Sequence, residues 1–103
     1  MGKKFIGVYY QGDRETLDYH MDWSPVLNSE ADSISSSAWY SEQGSPVIGD
    51  GTNGASAPNL IGGVTSCWII GGTIGDVYHL SNVITTAGGR KFEASFRVTI
   101  VDK

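Results

Sequence analysis

The chain has 103 residues, a one-domain length with enough material for a modest core. Only 17% of its residues are charged, while glycine, serine and β-forming residues are frequent, which is typical of short strands joined by turns. The net charge is −4 and the seven basic residues are scattered, so the composition argues against sequence-independent binding of nucleic acid. The longest apolar run is far shorter than the ~20 residues of a membrane-spanning helix, so we expect no membrane partner.

Cysteine usage indicates a reducing compartment. Cys67 is the single cysteine, so no disulfide can form within the chain. It lies in the apolar run CWII, where a buried, inert thiol is expected rather than a nucleophile. The N-terminal stretch MGKKFIGVYYQG has basic residues but no apolar core of useful length, so we do not expect a signal peptide.

Short strands dominate the chain from its first segment to its last. The predicted strands, in chain order, are residues 5–10, 17–23, 33–41, 64–70, 77–85 and 92–100, with a further edge element in the irregular stretch 45–63. In residues 17–23 the apolar side chains are at odd positions, and in residues 92–100 they are at even positions. Such alternation predicts strands with one buried and one solvated face.

The connections between these strands are short. Ser24-Pro25 favours one helical turn, because serine caps a helix and proline suits its first position. In residues 45–63 the apolar pieces PVI and NLI flank turn signals at GDG and NG, which predicts a small edge hairpin. Ala87-Gly88-Gly89 predicts a three-residue hairpin into the last strand. Since no connection is long enough for a crossover helix, the sheets should be mostly antiparallel.

About seven strands at this spacing predict an all-β fold, an immunoglobulin-like antiparallel β-sandwich. Residues 1–103 then form one domain, with 1–12 as either a first strand or an extended N-terminal arm. Trp39 and Trp68 are candidates for the central aromatic plug. Tyr78 enters the penultimate strand where such folds place their tyrosine corner, although an ordinary core aromatic would give the same pattern. Ile34 and Trp39 fall on opposite faces of their strand unless a bulge intervenes.

The sequence holds no catalytic constellation. Asp18, His20 and Asp22 share one strand face, but successive members lie ~6–7 Å apart, so a solvated face is favoured over a metal site. GDGTNG lacks the acidic count and the distal glutamate of a calcium loop, and a turn explains it. We therefore expect a non-enzymatic protein without cofactor or metal.

Four segments together resemble a family of small bacteriophage virion proteins, the immunoglobulin-like fibre–tail adaptors or tail-connector accessory proteins. The residues that carry the resemblance are Leu17-Asp18-Tyr19-x-x-Asp22-Trp23-Ser24, Asp32-Ser33-Ile34-Ser35-Ser36-Ser37, Val64-x-x-x-Trp68-Ile69-x-Gly71-Gly72-Thr73-x-Gly75 and Tyr78-x-Leu80-x-x-x-Ile84-Thr85-Thr86-x-x-Gly89-Arg90. The match covers most of the chain from residue 15 onwards. The sequence departs from the family in its first strand and in the stretch GDGTNGASAP.

The resemblance implies a virion structural protein, assembled in the cytoplasm of the bacterial host, that joins the tail or neck to fibres. Its partners would be other virion proteins, contacted by multiple copies in a symmetric assembly. The candidate partner-binding residues are Phe5, Tyr9, Tyr10, Tyr40, Asp50, Asn53 and Arg90. For Arg90 two roles are open: an ion pair that anchors the last hairpin, or a partner contact.

Two other functions fit the same sandwich. A capsid decoration protein would use it against the shell, and a carbohydrate-binding attachment module would use Tyr9, Tyr10 and Tyr40 as a stacking platform. We also expect that deleting residues 2–11 impairs assembly more than folding.

Overall fold

The computed structural model describes residues 3–29, 32–41 and 48–103, and for residues 3–6 and 29 it describes the backbone only. The strands are β1 (Lys3–Gly12), β2 (Thr16–Asp22), β3 (Ile34–Ser41), β4 (Asn59–Ile61), β5 (Val64–Ile70), β6 (Val77–Thr86) and β7 (Lys91–Val101), with one helix, α1 (Ser24–Ser29), between β2 and β3. The described residues include no helix that is long and apolar enough to cross a membrane. The predicted all-β class and the predicted helical turn after Ser24 are both confirmed.

Two sheets form the sandwich. One has the strand order β1-β7-β6-β3 and the other the order β2-β5-β4. If β2 to β7 are lettered B to G, these sheets are C-F-G and B-E-D, which is the immunoglobulin arrangement. The first strand adds to the β7 side of the four-stranded sheet, so the three-stranded sheet ends at β2.

The first strand departs from the antiparallel prediction, because β1 pairs with β7 in parallel. Only a crossover of a dozen residues or more can join parallel neighbours, and here the rest of the domain makes that connection. The register slips between Phe5 and Val8, next to Gly7 with its φ of 154°. β1 is thus a strand of the sheet and not an extended arm.

Alternation places the core as predicted. In β7 the even residues Ala94, Phe96, Val98 and Ile100 are buried between the sheets, while Arg97 faces solvent. In β2, Met21 is buried and the even residues are exposed. Each fully buried large aliphatic or aromatic side chain contributes on the order of 2 kcal/mol, so this layer of side chains supplies most of the driving force for folding.

A bulge resolves the ambiguity in β3. The register with β6 shifts between Ile34 and Ser36, so Ile34 pairs with Thr86 while Trp39 pairs with Asn82. One extra residue restores both large side chains to the inner face, and both pack against the core. Trp39 meets Phe96 edge-on, with 6.1 Å between the ring centroids.

The prediction for the second tryptophan of the plug is wrong. Cys67 and Ile69 of β5 are fully buried, so Trp68 between them points to the outer face, where it is half-buried. Trp23, directly after β2, lies in the core instead. The run CWII is apolar on both faces, so alternation could not tell which side faces inward.

Buried polar groups join the two sheets at Asn82. Its Oδ1 accepts hydrogen bonds from the Trp23 indole N–H at 3.1 Å and from the Thr65 hydroxyl at 2.6 Å. Its Nδ2 donates to the Ser37 hydroxyl at 2.9 Å and to the Ala38 carbonyl at 3.0 Å. Asn82 is fully buried, and with every partner satisfied it ties β2, β3, β5 and β6 together.

The stretch after β3 differs from the predicted edge hairpin. β4 pairs with β5 through the two-residue turn at Gly62-Gly63, and Ile48 bridges to Ile69 on the same edge of β5. The two apolar pieces therefore lie one after the other along β5 and not against each other. Pro46 and Val47 of the first piece lie outside the described residues.

Tyr78 occupies the tyrosine-corner position, second in β6 and only 5% exposed. Its hydroxyl lies directly over Gly72 in the loop that leads into the strand. A glycine is required there because a Cβ would collide with that hydroxyl.

Candidate partner-binding surfaces

The outer face of the four-stranded sheet carries a cluster of exposed apolar side chains. Tyr10 of β1 is paired with Thr99 of β7, which is paired with Val77 of β6. Val8, two residues earlier in β1, is paired with Arg97. Val8, Tyr10 and Val77 are 44%, 64% and 40% exposed. We call these five residues the outer patch.

The outer patch has the chemistry of a protein contact. Tyrosine and arginine are enriched among residues that dominate binding energy, and a rigid sheet presents them without an ordering cost. Its members span two strand spacings across the sheet and two residues along it, so they lie within about 12 Å of one another. Tyr10 is thus placed with suitable neighbours, which the sequence alone did not reveal because pairing of β1 with β7 was not predicted.

Tyr9 has a different environment from Tyr10. Its ring packs on Tyr19 and Phe96 at centroid distances of 5.4 and 5.7 Å, so it closes the gap between the sheets although 41% of it is exposed. Next to it, Gln11 is fully buried, accepts a hydrogen bond from the Tyr19 hydroxyl and donates to the Ile69 carbonyl. Burial raises the pKa of Tyr19 to about 12, so its hydroxyl remains a donor at any physiological pH.

Tyr40 and Phe5 lie in another row of the same sheet. Tyr40 is 58% exposed on β3 and pairs with Ser81, which pairs with Ser95. The backbone of Phe5 pairs with Ser95 on the far side. Tyr9, Tyr10 and Tyr40 therefore form no common stacking platform, because one faces between the sheets and the other two lie on opposite edge strands.

Asp50 and Asn53 stabilise their own loop. The Asp50 carboxylate accepts hydrogen bonds from the Thr52 hydroxyl, the Thr52 N–H and the Asn53 N–H at 2.7 to 3.0 Å. Asn53 in turn donates to the Ile48 carbonyl at 3.0 Å. The hydrogen bonds that the Asp50 carboxylate accepts hold its pKa below the usual value, and the bond from the Thr52 hydroxyl has the largest effect. The turn interpretation of GDGTNG thus accounts for these polar groups.

Arg90 forms the ion pair considered from the sequence. Its Nη1 lies 3.4 Å from Oδ2 of Asp32, and half of its side chain remains exposed. Asp32 is the anchor of the hairpin, since its Oδ1 also accepts the Gly88 N–H at 3.0 Å. A hydrogen bond from the Thr86 side chain, those from Ser33 and Gly88 and the charge of Arg90 lower the pKa of Asp32. The ion pair leaves room for a partner contact by the same guanidinium.

The described residues give no support for metal binding or for a reactive thiol. They contain no group of three or more histidine, cysteine or acidic side chains placed to hold a metal ion. His20 lies 2.6 Å from Asp18, and this pair is exposed. Burial raises the pKa of Cys67 to about 12, which keeps it a thiol and unreactive.

Comparison with known protein families identifies the kind of protein. The family model of the podophage GP4 fiber-tail adaptor protein gp77 matches residues 11–99, which is most of the chain. The chain belongs to this family. It is accordingly a structural component of the phage, not an enzyme, and the resemblance seen in the sequence is confirmed. The match is to a fiber-tail adaptor family and gives no support to the alternative of a capsid decoration protein.

Solved structures give the same fold at low identity. Titin domain M7 matches with a TM-score of 0.62 at 10% identity, over 92% of this chain and 86% of that one. The titin M1 domain matches with a TM-score of 0.52 at 11% identity, over 96% and 90% of the chains. Both likenesses confirm the immunoglobulin-like sandwich.

A larger protein also contains a similar sandwich. The 2,6-sialyltransferase of Photobacterium sp. JT-ISH-224 matches with a TM-score of 0.59 at 14% identity. The match covers 97% of this chain but only 18% of that enzyme, so the likeness concerns the fold alone. A search of curated protein sequences finds no match.

Proposed function

We propose that this adaptor binds a tail protein and a fibre protein at the same time, within the virion, through separate surfaces of its rigid sandwich. The family match over residues 11–99 is the observation that carries the proposal. The outer patch is one of these surfaces. It offers apolar area, a tyrosine and an arginine on a sheet whose inner face is fully packed, so binding costs little ordering.

Several copies act together around the tail axis. An adaptor between a symmetric tail and its fibres must repeat at each fibre, and a small module is suited to such repetition. Fold and function are compatible, because a sandwich without a cofactor can devote its loops, edges and outer faces to partners. The outer-face tyrosines and Arg90 remain proposed contacts.

Reconstitution of fibre attachment tests this function. Tails from phage that lack the adaptor are mixed with purified adaptor and purified fibres, and bound fibres are counted by electron microscopy. We expect wild-type adaptor to restore attachment and to be found in several copies per tail by quantitative mass spectrometry. Restoration without the adaptor, or one copy per tail, would contradict the proposal.

A pair of matched variants tests whether the outer patch contacts a partner. Tyr10→Ser removes the most exposed of the large hydrophobic side chains in the outer patch and should weaken binding of one partner at least about tenfold. Ile74→Ser removes a side chain that is 51% exposed in the loop before β6, and should leave binding unchanged. Equal binding by both variants would exclude the outer patch as a contact.

A further inference from the structure

The outer edge of β2 has open backbone hydrogen-bonding groups. The Trp23 N–H donates to the Gly63 carbonyl at 2.8 Å, and the Gly71 N–H donates to the Glu15 carbonyl at 2.9 Å. These bonds are in register with the β2–β5 ladder, so the odd residues of β2 bond to β5. The even residues, which include Asp18, His20 and Asp22, therefore direct their N–H and C=O groups away from β5. Within the described residues, no strand pairs with this side of β2.

The side chains along this edge are acidic and exposed. Asp18, His20 and Asp22 all point to the outer face of the three-stranded sheet. The Asp18 carboxylate contacts His20, and the Asp22 carboxylate accepts the Ser24 N–H at 2.9 Å. The hydrogen bond with His20 lowers the pKa of Asp18, and hydrogen bonds from the Ser24 hydroxyl and then the Ser24 N–H lower the pKa of Asp22, so both carboxyl groups are ionised at neutral pH. An added strand would place every second side chain beside these charges.

A cleft on the inner side of the same edge is apolar. It has a volume of about 140 Å³, and its lining consists of Met21, Trp23, Pro25, Val26 and Ala94 together with His20 and Asp22. The remaining side chains of an added strand would point towards this cleft, because strand side chains alternate between the two faces. The volume suits one aliphatic side chain.

From these three features we infer that the β2 edge binds an extended segment of a tail or fibre protein with alternating apolar and basic residues, which adds to the three-stranded sheet as a fourth strand. The inference rests on the proposed adaptor function and names the chemistry of one partner. Main-chain hydrogen bonds would supply affinity, and the cleft and carboxylates would supply specificity. In the immunoglobulin arrangement the sheet has four strands, A-B-E-D, and among the described residues no strand takes the place beside β2.

A second copy of this chain fits the edge poorly. Two β2 strands paired antiparallel about His20 would set Asp18 of each copy opposite Asp22 of the other. Like charges directly opposite destabilise a strand pair, and charged edges are a common protection against self-association. Charge therefore favours a basic partner.

The test uses an intact adaptor and the heptapeptide KVKVKVK as the probe. Its controls are KVKPKVK, which has the same charge but a proline in the ladder, and EVEVEVE. On addition of KVKVKVK, amide hydrogen exchange at Asp18, His20 and Asp22 should slow about tenfold or more, and neither control peptide should slow it. Absence of binding, or binding without slowed exchange at these amides, overturns the inference.

Two variants of His20 separate the contribution of its backbone N–H to binding from that of its side chain. His20→Pro deletes an N–H that bonds to nothing in the described fold, so the β2–β5 ladder stays intact. His20→Ala deletes the imidazole and keeps the N–H. We expect His20→Pro to lose KVKVKVK binding about tenfold and to lose capture of either tails or fibres, whereas His20→Ala keeps both.

The outcomes distinguish a failure of the edge inference from a failure of the proposed adaptor function. If wild-type adaptor captures both tails and fibres and His20→Pro does the same, the edge inference is wrong while the adaptor function stands. If wild-type adaptor captures neither, the adaptor function is wrong. Circular dichroism and thermal unfolding verify that His20→Pro and His20→Ala are folded. The double variant Asp18→Lys, Asp22→Lys tests the role of charge and should abolish the preference for KVKVKVK over EVEVEVE.

Discussion

At the scale of single residues, Gly72 shows how a backbone position depends on one side chain. A Cβ there would meet the Tyr78 hydroxyl, and Tyr78 is held by the core on its other side. We predict that Gly72→Ala lowers the free energy of unfolding by about 1–3 kcal/mol. Tyr78→Phe removes the colliding oxygen, so the double variant should be more stable than the sum of the two single changes predicts.

Urea unfolding of the four proteins measures this coupling in a double-mutant cycle. Additive effects of the two substitutions would show that the collision does not govern the cost. The loop before β6 would then have to move away from the tyrosine when the methyl group is added.

The three tryptophans show how far the burial of single residues can be predicted from the sequence. Trp39 could be assigned to the core only because a bulge after Ile34 restores its orientation, and no residue type announces that bulge. Trp68 faces outward because an apolar neighbour on each side removes the alternation that would orient it, whereas Trp23 lies in the core as the alternation of residues 17–23 predicts. Alternating stretches were predicted well, as in β2 and β7, because one face of each is polar throughout.

At the scale of elements, the β6–β7 hairpin is stabilised by Asp32 from a distant part of the chain. The predicted three-residue loop is confirmed: Gly89 has a φ of 89°, and the Thr86 N–H donates to the Arg90 carbonyl at 2.8 Å. What the sequence did not predict is the Asp32 anchor, because it lies 56 residues before Gly88.

This anchor should make stability depend on pH in the acid range. The folded pKa of Asp32 is lowered, so the folded state holds its proton less tightly than the unfolded state, whose pKa is about 3.9. The contribution is present above that value and is lost as pH falls through the folded pKa. We predict that Asp32→Asn is less stable than wild type at pH 7 and that the difference narrows between pH 4 and pH 2.

Urea unfolding across that range measures the effect. Because Glu15, Asp18, Asp22 and Asp50 also have lowered pKa values, both proteins lose stability in acid, and only their difference reports on Asp32. Arg90→Ala is the control, since it leaves the backbone donors of the anchor in place and should cost less. A constant difference at all pH values would argue against the anchor.

At the scale of the whole molecule, the Asn82 hydrogen bonds hold two sheets that no disulfide joins. Asn82→Ala would leave the buried Thr65 hydroxyl without its acceptor, remove one of the two acceptors of the Trp23 indole N–H and open a cavity. We predict a loss of about 2–4 kcal/mol in the free energy of unfolding. Asn59→Ala, at an exposed asparagine of β4, is the control and should change stability by less than about 0.5 kcal/mol.

The first strand decides whether the sandwich can fold without its N-terminal segment. From the sequence we expected deletion of residues 2–11 to impair assembly more than folding, but β1 pairs with β7 from Lys3 to Gly12. The deletion also removes Tyr9 from the Tyr19–Phe96 cluster and the buried Gln11, which takes one hydrogen bond from the Ile69 carbonyl and the acceptor from the Tyr19 hydroxyl. We now predict a loss of more than about 5 kcal/mol, which equals the whole stability of a domain of this size at the lower end of the usual range.

Thermal unfolding followed by circular dichroism, together with amide dispersion in a proton–nitrogen NMR spectrum, measures the effect of the deletion. Gln11→Ala is the graded companion and should cost about 1–3 kcal/mol, because it removes the buried amide but keeps the strand. If the deleted protein unfolds cooperatively at the wild-type temperature, β1 contributes little and the segment is available to a partner. Loss of dispersed amide signals would instead show that β1 closes the four-stranded sheet, so that partners must bind to surfaces the complete sandwich presents.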